Sequence, residues 1–515
     1  MMMEKDSVLV IGAGIGGLAA AIRVAAAGRP VTVLEAQGSP GGKMRTLPSP
    51  AGPVDAGPTV LTLRHVFDDL FAHAGARLDD HVTLTRLPIL ARHFWPDGAR
   101  LDLLPCADAN ARAIGDAFGP RARDEFTRFA RETAALFAAF ERPIMHAPRP
   151  DALGAARAVL GQPALWPWLA PGRRLDAMLR ARFAEPRLRQ LFGRYATYVG
   201  GNPARAPAVL GLIWQAEAAG VWAVRGGMAA LARALAELLV RLGGDLRLNA
   251  PVAEILCDSG GLRGVRLASG RELAARQVVF NGDPAALPAL MGARAPRLRS
   301  APRSLSAQVW TFAAEVAPEG LGRDALAYHS VFFADDAEDE FGPLARGRQP
   351  RAGTIYICAQ DRAGALPRGL ERFQFILNAP PCASHRKDPP CPIDPFPRLR
   401  DFGLHLSPRP GAAAMTGPLG FARLFPHSAG ALYGLSPDGA LATFQRPVAR
   451  SPVPGLYLAG GGVHPGAGVP MAALSGGFAA QAVLRDPISV SRWARMAMRG
   501  GISTGSAMTA RAPSR

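Results

Sequence analysis

The chain opens on an unbroken apolar run, Val8-Leu9-Val10-Ile11, the pattern of a parallel strand buried on both faces. A glycine-rich turn, Gly12-Ala13-Gly14-Ile15-Gly16-Gly17, leads into a helical stretch from Leu18 to Ala27, with Gly28 as its stop. A second apolar run, Val31 to Leu34, ends in Glu35. Together these predict a compact βαβ unit. Residues from about 76 to 214 carry Ala, Leu and Arg at helical spacing, with Phe126, Phe129, Phe137 and Phe140 among the apolar positions. Another helix is predicted around Leu212 to Leu242, closed by Gly243-Gly244. Short strands follow at 245–248 and 252–256, then a hairpin over 262–273 and an apolar strand from Gln277 to Phe280. From about 285 to 430, β-branched and aromatic alternation predicts an antiparallel sheet, for example at 331–333, 354–358 and 373–377. Within it, 380–397 holds seven prolines and two cysteines and reads as an irregular insertion. A last glycine-rich block spans Gly455 to Gly477, and a basic tail predicted to be disordered follows Asp486.

Composition narrows the class. With 49% hydrophobic and 19% charged residues, the 515-residue chain is too greasy for a disordered protein. Its net charge is +18, and all but three of its 59 basic residues (Lys5, Lys43 and Lys387) are arginines. Such a balance favours anionic partners, of which a phospholipid surface fits better than nucleic acid: the arginines are scattered and no recognition motif accompanies them. Five cysteines without a C-x-x-C pair argue against a disulfide framework or structural zinc, and a reducing, cytoplasmic compartment follows. No metal site is predicted. The longest candidate span, Val8 to Ile22, is glycine-riddled and only 15 residues long, too short to cross a bilayer.

The chemistry begins at Gly12, Gly14 and Gly17, a G-x-G-x-x-G between strand and helix. Gly12 permits the tight turn, Gly14 lets backbone approach a pyrophosphate, and Gly17 allows close helix–strand packing. The helix N-terminus supplies free N–H groups and positive dipole character to phosphates. Glu35, 18 residues beyond Gly17, sits where a carboxylate accepts both ribose hydroxyls, and an acid there disfavours a 2′-phosphate. The next segment, Gly38 to Arg45, adds Gly41 and Gly42, past which a bulky cofactor can lie, and Lys43 and Arg45 as cationic donors for a pyrophosphate or ribityl chain.

The run Val8–Arg45 resembles the N-terminal signature of the flavin amine-oxidase and carotenoid-desaturase superfamily. Asp55-Ala56-Gly57-Pro58-Thr59-Val60 is similar to its D-x-G-P-T segment, which passes near the flavin. Arg225-Gly226-Gly227-Met228 with Val252-Ala253-Glu254-Ile255 resembles its G-G-M…V-x-x-I element, in which the residue at Val252 contacts adenine through its backbone. The block Gly455–Met471, with Gly461, His464, Val469 and Met471, resembles the C-terminal block of the bacterial phytoene-desaturase family, whose helix N-terminus faces the flavin. The resemblance implies an α/β fold: a Rossmann-like FAD-binding domain of the flavin amine-oxidase/desaturase type, a mixed antiparallel-sheet substrate domain and a helical lid. The corresponding division is 1–75, 215–285 and 431–485 for FAD, 76–214 for the lid, 286–430 for the sheet, and 486–515 for the tail.

It further implies FAD as cofactor, a lipophilic carotenoid as substrate, and oxygen or a quinone as electron acceptor. A flavin desaturase takes hydride from an allylic carbon and needs little acid–base machinery. His464 is the candidate for a direct role in the flavin-facing block, the alternative being a structural residue satisfying loop carbonyls. His65 and Arg64 are further candidates to line the cavity, and Asp283 reads as a helix N-cap. The segments 55–74 and 194–203 and the closing block 455–471 together are most similar to the branch of 1-hydroxycarotenoid 3,4-desaturases, the methoxyneurosporene dehydrogenases of purple phototrophs. Phytoene desaturation, amine oxidation and a non-enzymatic prenyl-escort role on the same fold stay open. Finally, Trp166-Pro167-Trp168-Leu169 with Arg173-Arg174, and Leu175, Met178 and Leu179 beyond, predicts peripheral attachment to the inner membrane.

Overall fold

The computed structural model describes residues 7–258, 261–298, 301–382, 392–439 and 442–486. The basic tail and most of the proline-rich insertion lie outside the described residues. Strand β1 (Val8–Ile11) leads through the glycine turn into helix α1 (Ile15–Ala26), which starts three residues earlier than its spacing suggests, and then into β2 (Val31–Leu34). Much later come α2 (Met228–Arg241), β3 (Asp245–Arg247), β4 (Gln277–Phe280), β5 (Leu456–Leu458) and α3 (Val469–Leu484). The five strands form one parallel sheet in the order β5-β4-β1-β2-β3, in register from Val8 opposite Val31 and Gln277. Segments far apart in sequence thus complete a single doubly wound layer. Strands β5, β4, β1 and β2 are buried on both faces, as their apolar runs require, while β3 (Asp245-Leu246-Arg247) forms the more exposed edge.

Small residues draw α1 and α3 together. A Cβ on Gly476 would stand 2.1 Å from the Gly16 carbonyl oxygen, and one on Gly17 would stand 2.1 Å from that of Gly12. The helices and the turn touch through bare backbone.

The second layer is an eight-stranded mixed sheet whose longest strand, Ser306–Val316, pairs antiparallel with Glu371–Ala379. The sheet continues through Ile355–Ala359 and His329–Phe332. Here the expectation of helix throughout 76–214 is corrected. Ala91–Phe94 adds to this sheet parallel to His329–Phe332, and Arg100–Leu103 pairs with it as an antiparallel hairpin. Alternation at 91–94 places Phe94 against the sheet core with Phe332 (centroids 4.5 Å apart), a pairing that overrides local helical composition.

The predicted helix over 212–242 is also corrected. It is broken into Trp214–Ala218, a strand Trp222–Val224 paired with Leu84–Arg86, and α2. Gly220, Gly226 and Gly227 all have positive φ, which a continuous helix excludes. The helices between Ala107–Phe118 and Pro186–Gly193 pack around Phe126, Phe129, Phe183, Phe192 and Trp214.

Candidate cofactor and substrate cavity

One cavity of about 910 Å³ runs from the carboxyl ends of β1 and β2 to the helical region and the large sheet. Its cofactor end is built from backbone. Glu35 follows β2 and is buried; one carboxylate oxygen accepts from the Ala13 N–H at 2.6 Å and the other from the Gln37 N–H at 2.9 Å. These bonds hold the carboxylate against the turn while it lines the cavity. Asn281, directly after β4, donates from Nδ2 to the Gly12 carbonyl at 3.2 Å. Its side chain lies where Cβ atoms on Gly14 and Gly16 would fall, at 2.9 and 2.6 Å. Asn281 thus packs against the turn at Gly12, Gly14, Gly16 and Gly17.

The segment after β2 doubles back beside the turn. Gly41 donates its N–H to the Ala13 carbonyl at 2.9 Å, and a Cβ on Gly42 would meet Gly14 Cα at 3.2 Å. Gly57 is tighter still: a Cβ there would stand 1.8 Å from the Lys43 carbonyl oxygen. Asp55 accepts from the N–H groups of Met228 and Ala229 at 2.6 and 3.3 Å, fixing the N-terminus of α2, and burial pushes its carboxyl pKa up. The Lys43 ammonium donates to the Leu432 carbonyl and stands 5.4 Å over the Phe425 ring. Lys43 is open to the cavity but enclosed by protein, and that desolvation lowers its pKa to about 8. Arg45 donates to Thr416 Oγ1 at 3.0 Å.

The C-terminal block is held by Arg446, which sequence reasoning missed because its partners are all carbonyls. Its buried guanidinium donates to Tyr433 at 2.8 Å, Gly461 at 3.0 Å and Leu435 at 3.1 Å, and burial lowers its pKa to about 10. This holds Gly460–Gly462 and the N-terminus of α3 at the cavity.

The structure therefore brings together Gly12, Gly14, Gly16, Glu35, Gly41, Gly42, Lys43 and Arg45 on the cavity surface. Gly57, Pro58, Thr59, Val60, Val252, Gly461, Val469 and Met471 join them there. Ala13 and Gly17 stand just behind, one bonding Glu35 and the other packing on Gly12.

His464 is a correction. It does not line the cavity: its ring Nε2 bonds the Ala147 carbonyl at 2.9 Å, its N–H bonds the Pro447 carbonyl, and its ring stacks on Phe478. Burial lowers its pKa, and the residue ties two loops together. Arg64 and His65 are corrected too. Arg64 pairs with Asp68 and Asp79, and His65 is exposed beside His146; their neighbours Thr62 and Leu63 line the cavity instead. Asp283 caps the following turn at Ala285 as expected and pairs with Arg303.

The far half of the cavity is apolar, walled by Phe137, Phe140, Ile144, Val209, Leu212, Ile213 and Ile376. Thr59 and Tyr356 share a hydrogen bond at 2.6 Å at the junction, and the Tyr356 hydroxyl also meets His329 Nδ1 at 2.6 Å. Burial lowers the His329 pKa to about 3, so this link is uncharged. A glycine cradle for a diphosphate beside a long greasy chamber fits a dinucleotide whose reactive ring meets an extended apolar molecule.

A nucleotide cradle joined to such a chamber defines a flavin oxidoreductase. The chain belongs to the family of flavin containing amine oxidoreductases, which matches residues 15–311 and 425–484, and FAD is its cofactor. It is 55% identical to hydroxyneurosporene desaturase of Cereibacter sphaeroides over 96% of this chain and 100% of that one. It is 42% identical to hydroxyneurosporene desaturase of Rubrivivax gelatinosus over 98% of both chains, and 30% identical to a lycopene-forming phytoene desaturase of a Paracoccus species over 93% and 97%. The fold is shared with putrescine oxidase, at a TM-score of 0.60, 16% identity, and coverage of 93% of this chain and 99% of that one. The chain is an FAD-dependent carotenoid desaturase.

Proposed function

We propose that the protein introduces the C3–C4 double bond into an acyclic carotenoid bearing a 1-hydroxy or 1-methoxy group. The supporting observation is the continuity of the glycine cradle with an apolar chamber, in a chain so similar to hydroxyneurosporene desaturases. The turn amides and the N-terminus of α1 bind the diphosphate, and Glu35 accepts from the ribose hydroxyls while its other lone pairs hold the turn. Gly41, Gly42, Lys43, Arg45, the segment Gly57–Val60, Val252, Gly461, Val469 and Met471, which line the same cavity, would hold the rest of the cofactor. FAD supplies a hydride acceptor. The protein's own part is to hold one C–C bond of a long chain in place and keep water out, which the apolar wall does.

The substrate reaches the cavity from a membrane, and the protein attaches peripherally to the inner membrane on its cytoplasmic side; oxygen or a quinone is the final acceptor. No helix among the described residues is long and apolar enough to cross a membrane. The predicted anchor divides in two. Trp168, Leu175, Met178 and Leu179 are core residues, Trp168 donating to Glu132 at 2.9 Å, whereas Trp166 is 53% exposed beside Leu153 and Leu160 at 70% and 65%. The exposed three, with the exposed Arg149 and Arg157 close by in sequence, form the membrane-facing patch of this reading. The deciding experiment incubates FAD-loaded protein with phytoene and with 1-hydroxyneurosporene and follows the red shift of the polyene spectrum. Product from 1-hydroxyneurosporene is expected, and product from phytoene alone overturns the assignment. Flotation with anionic vesicles is expected for the wild type and reduced for Leu153→Asp/Trp166→Asp; equal flotation of both removes the patch.

A further inference from the structure

We propose that Arg194, Tyr198 and Glu217 form a subsite that recognises the oxygen function at the end of the carotenoid. This rests on the function proposed above and deepens it. All three line the cavity, set into a wall otherwise made of side chains such as Val209 and Ile213. Arg194 is 7% and Glu217 3% exposed. The Arg194 Nη2 donates to the Tyr198 hydroxyl at 2.8 Å, and the Tyr195 hydroxyl donates to Glu217 Oε2 at 2.6 Å. Arg194 Nε is buried without a hydrogen-bond partner.

Charges taken out of water are costly unless their polar groups are hydrogen-bonded, and the Arg194 Nε–H is not. A pure hydrocarbon offers these groups nothing. A tertiary hydroxyl offers lone pairs to the guanidinium and a proton to the carboxylate, while a methoxy group offers the lone pairs alone. Position agrees with chemistry. The Arg194 guanidinium lies 5.9 Å from the Tyr356 ring, and Tyr356 bonds Thr59, in the segment read as passing beside the flavin. An oxygen on C1 has to sit close to the reacting C3–C4 bond, and this cluster occupies that neighbourhood. Anchoring the oxygen there sets which bond is presented.

The test compares kcat/KM of the FAD-loaded enzyme for three substrates of one skeleton: 1-hydroxyneurosporene, its methyl ether, and 1,2-dihydroneurosporene, which carries hydrogen in place of the oxygen. The wild type is expected to prefer both oxygenated substrates by about tenfold or more. Arg194→Met is expected to erase that preference for both, Glu217→Gln to reduce it for the hydroxy substrate alone, and each to keep its flavin. Tyr198→Phe, which removes one hydroxyl from the cluster, carries the comparison if Arg194→Met does not fold. Unchanged preference in a flavin-holding variant, or a wild type indifferent to the oxygen, overturns the subsite. A wild type that desaturates none of the three overturns the function on which it rests.

Discussion

The two halves of the cavity are built by opposite means. At the cofactor end the protein presents backbone: glycines at closest approach, amides at a helix start, and a carboxylate whose oxygens already hold two N–H groups. At the substrate end it presents side chains, mostly apolar, with a few buried polar groups among them. At Gly16, Gly17 and Gly57 the backbone site has no room for an added methyl. A side-chain site can be reshaped one residue at a time without disturbing the cradle.

That contrast can be broken most forcefully at Gly57. An added methyl falls 1.8 Å from the Lys43 carbonyl, and backbone on both sides cannot give way. Gly57→Ala is expected to cost about 3 kcal/mol or more and to abolish flavin retention, read by thermal melting and the flavin spectrum. Glu35→Ala comes next: it removes the acceptor of two amides and the proposed ribose contact, and FAD affinity is expected to fall by about tenfold to a hundredfold by titration. The same change should leave the apolar chamber intact.

Lys43 gives the pH dependence. Burial lowers its pKa to about 8 in the cofactor-free protein, so above that pH the cavity loses a positive charge. Affinity for the anionic diphosphate is therefore expected to fall by roughly tenfold between about pH 7 and 9, and Lys43→Gln to flatten that slope. The cofactor-free fold shows the opposite trend. The unfolded lysine keeps its proton to higher pH, so burying it is a penalty that is full below about 8 and relieved as pH rises toward the ordinary lysine range. Smallest is Ile213→Ala, on the chamber wall. It is expected to change kcat/KM by only a few-fold while flavin content stays at wild-type level, and loss of flavin there would erase the distinction between the halves.

The same distinction explains what could be read in advance. Gly12, Gly14, Gly17 and Glu35 act through spacing along one short βαβ unit, so their places were legible in the chain alone. Asn281 acts on a turn 269 residues away, and Arg446 on the carbonyls of three loop residues 11 to 15 positions off, so no local pattern marks either. The strand at 91–94 was hidden for the same reason, since its partner at 329–332 lies more than two hundred residues on. His464 misled because a conspicuous block places it near the cofactor, whereas its ring turns away to the Ala147 carbonyl. Trp166 and Trp168 sit two residues apart on one helical turn and so face different surroundings, one solvent and one core.

The central claim is that the backbone cradle holds FAD while the adjoining chamber presents a polyene to it. Anaerobic mixing of the flavin-loaded protein with 1-hydroxyneurosporene tests this directly. The account predicts bleaching of the oxidised flavin absorbance in step with a red-shifted carotenoid product, one product per flavin. A product formed while the flavin stays oxidised, or one formed equally well by protein stripped of flavin, would contradict it.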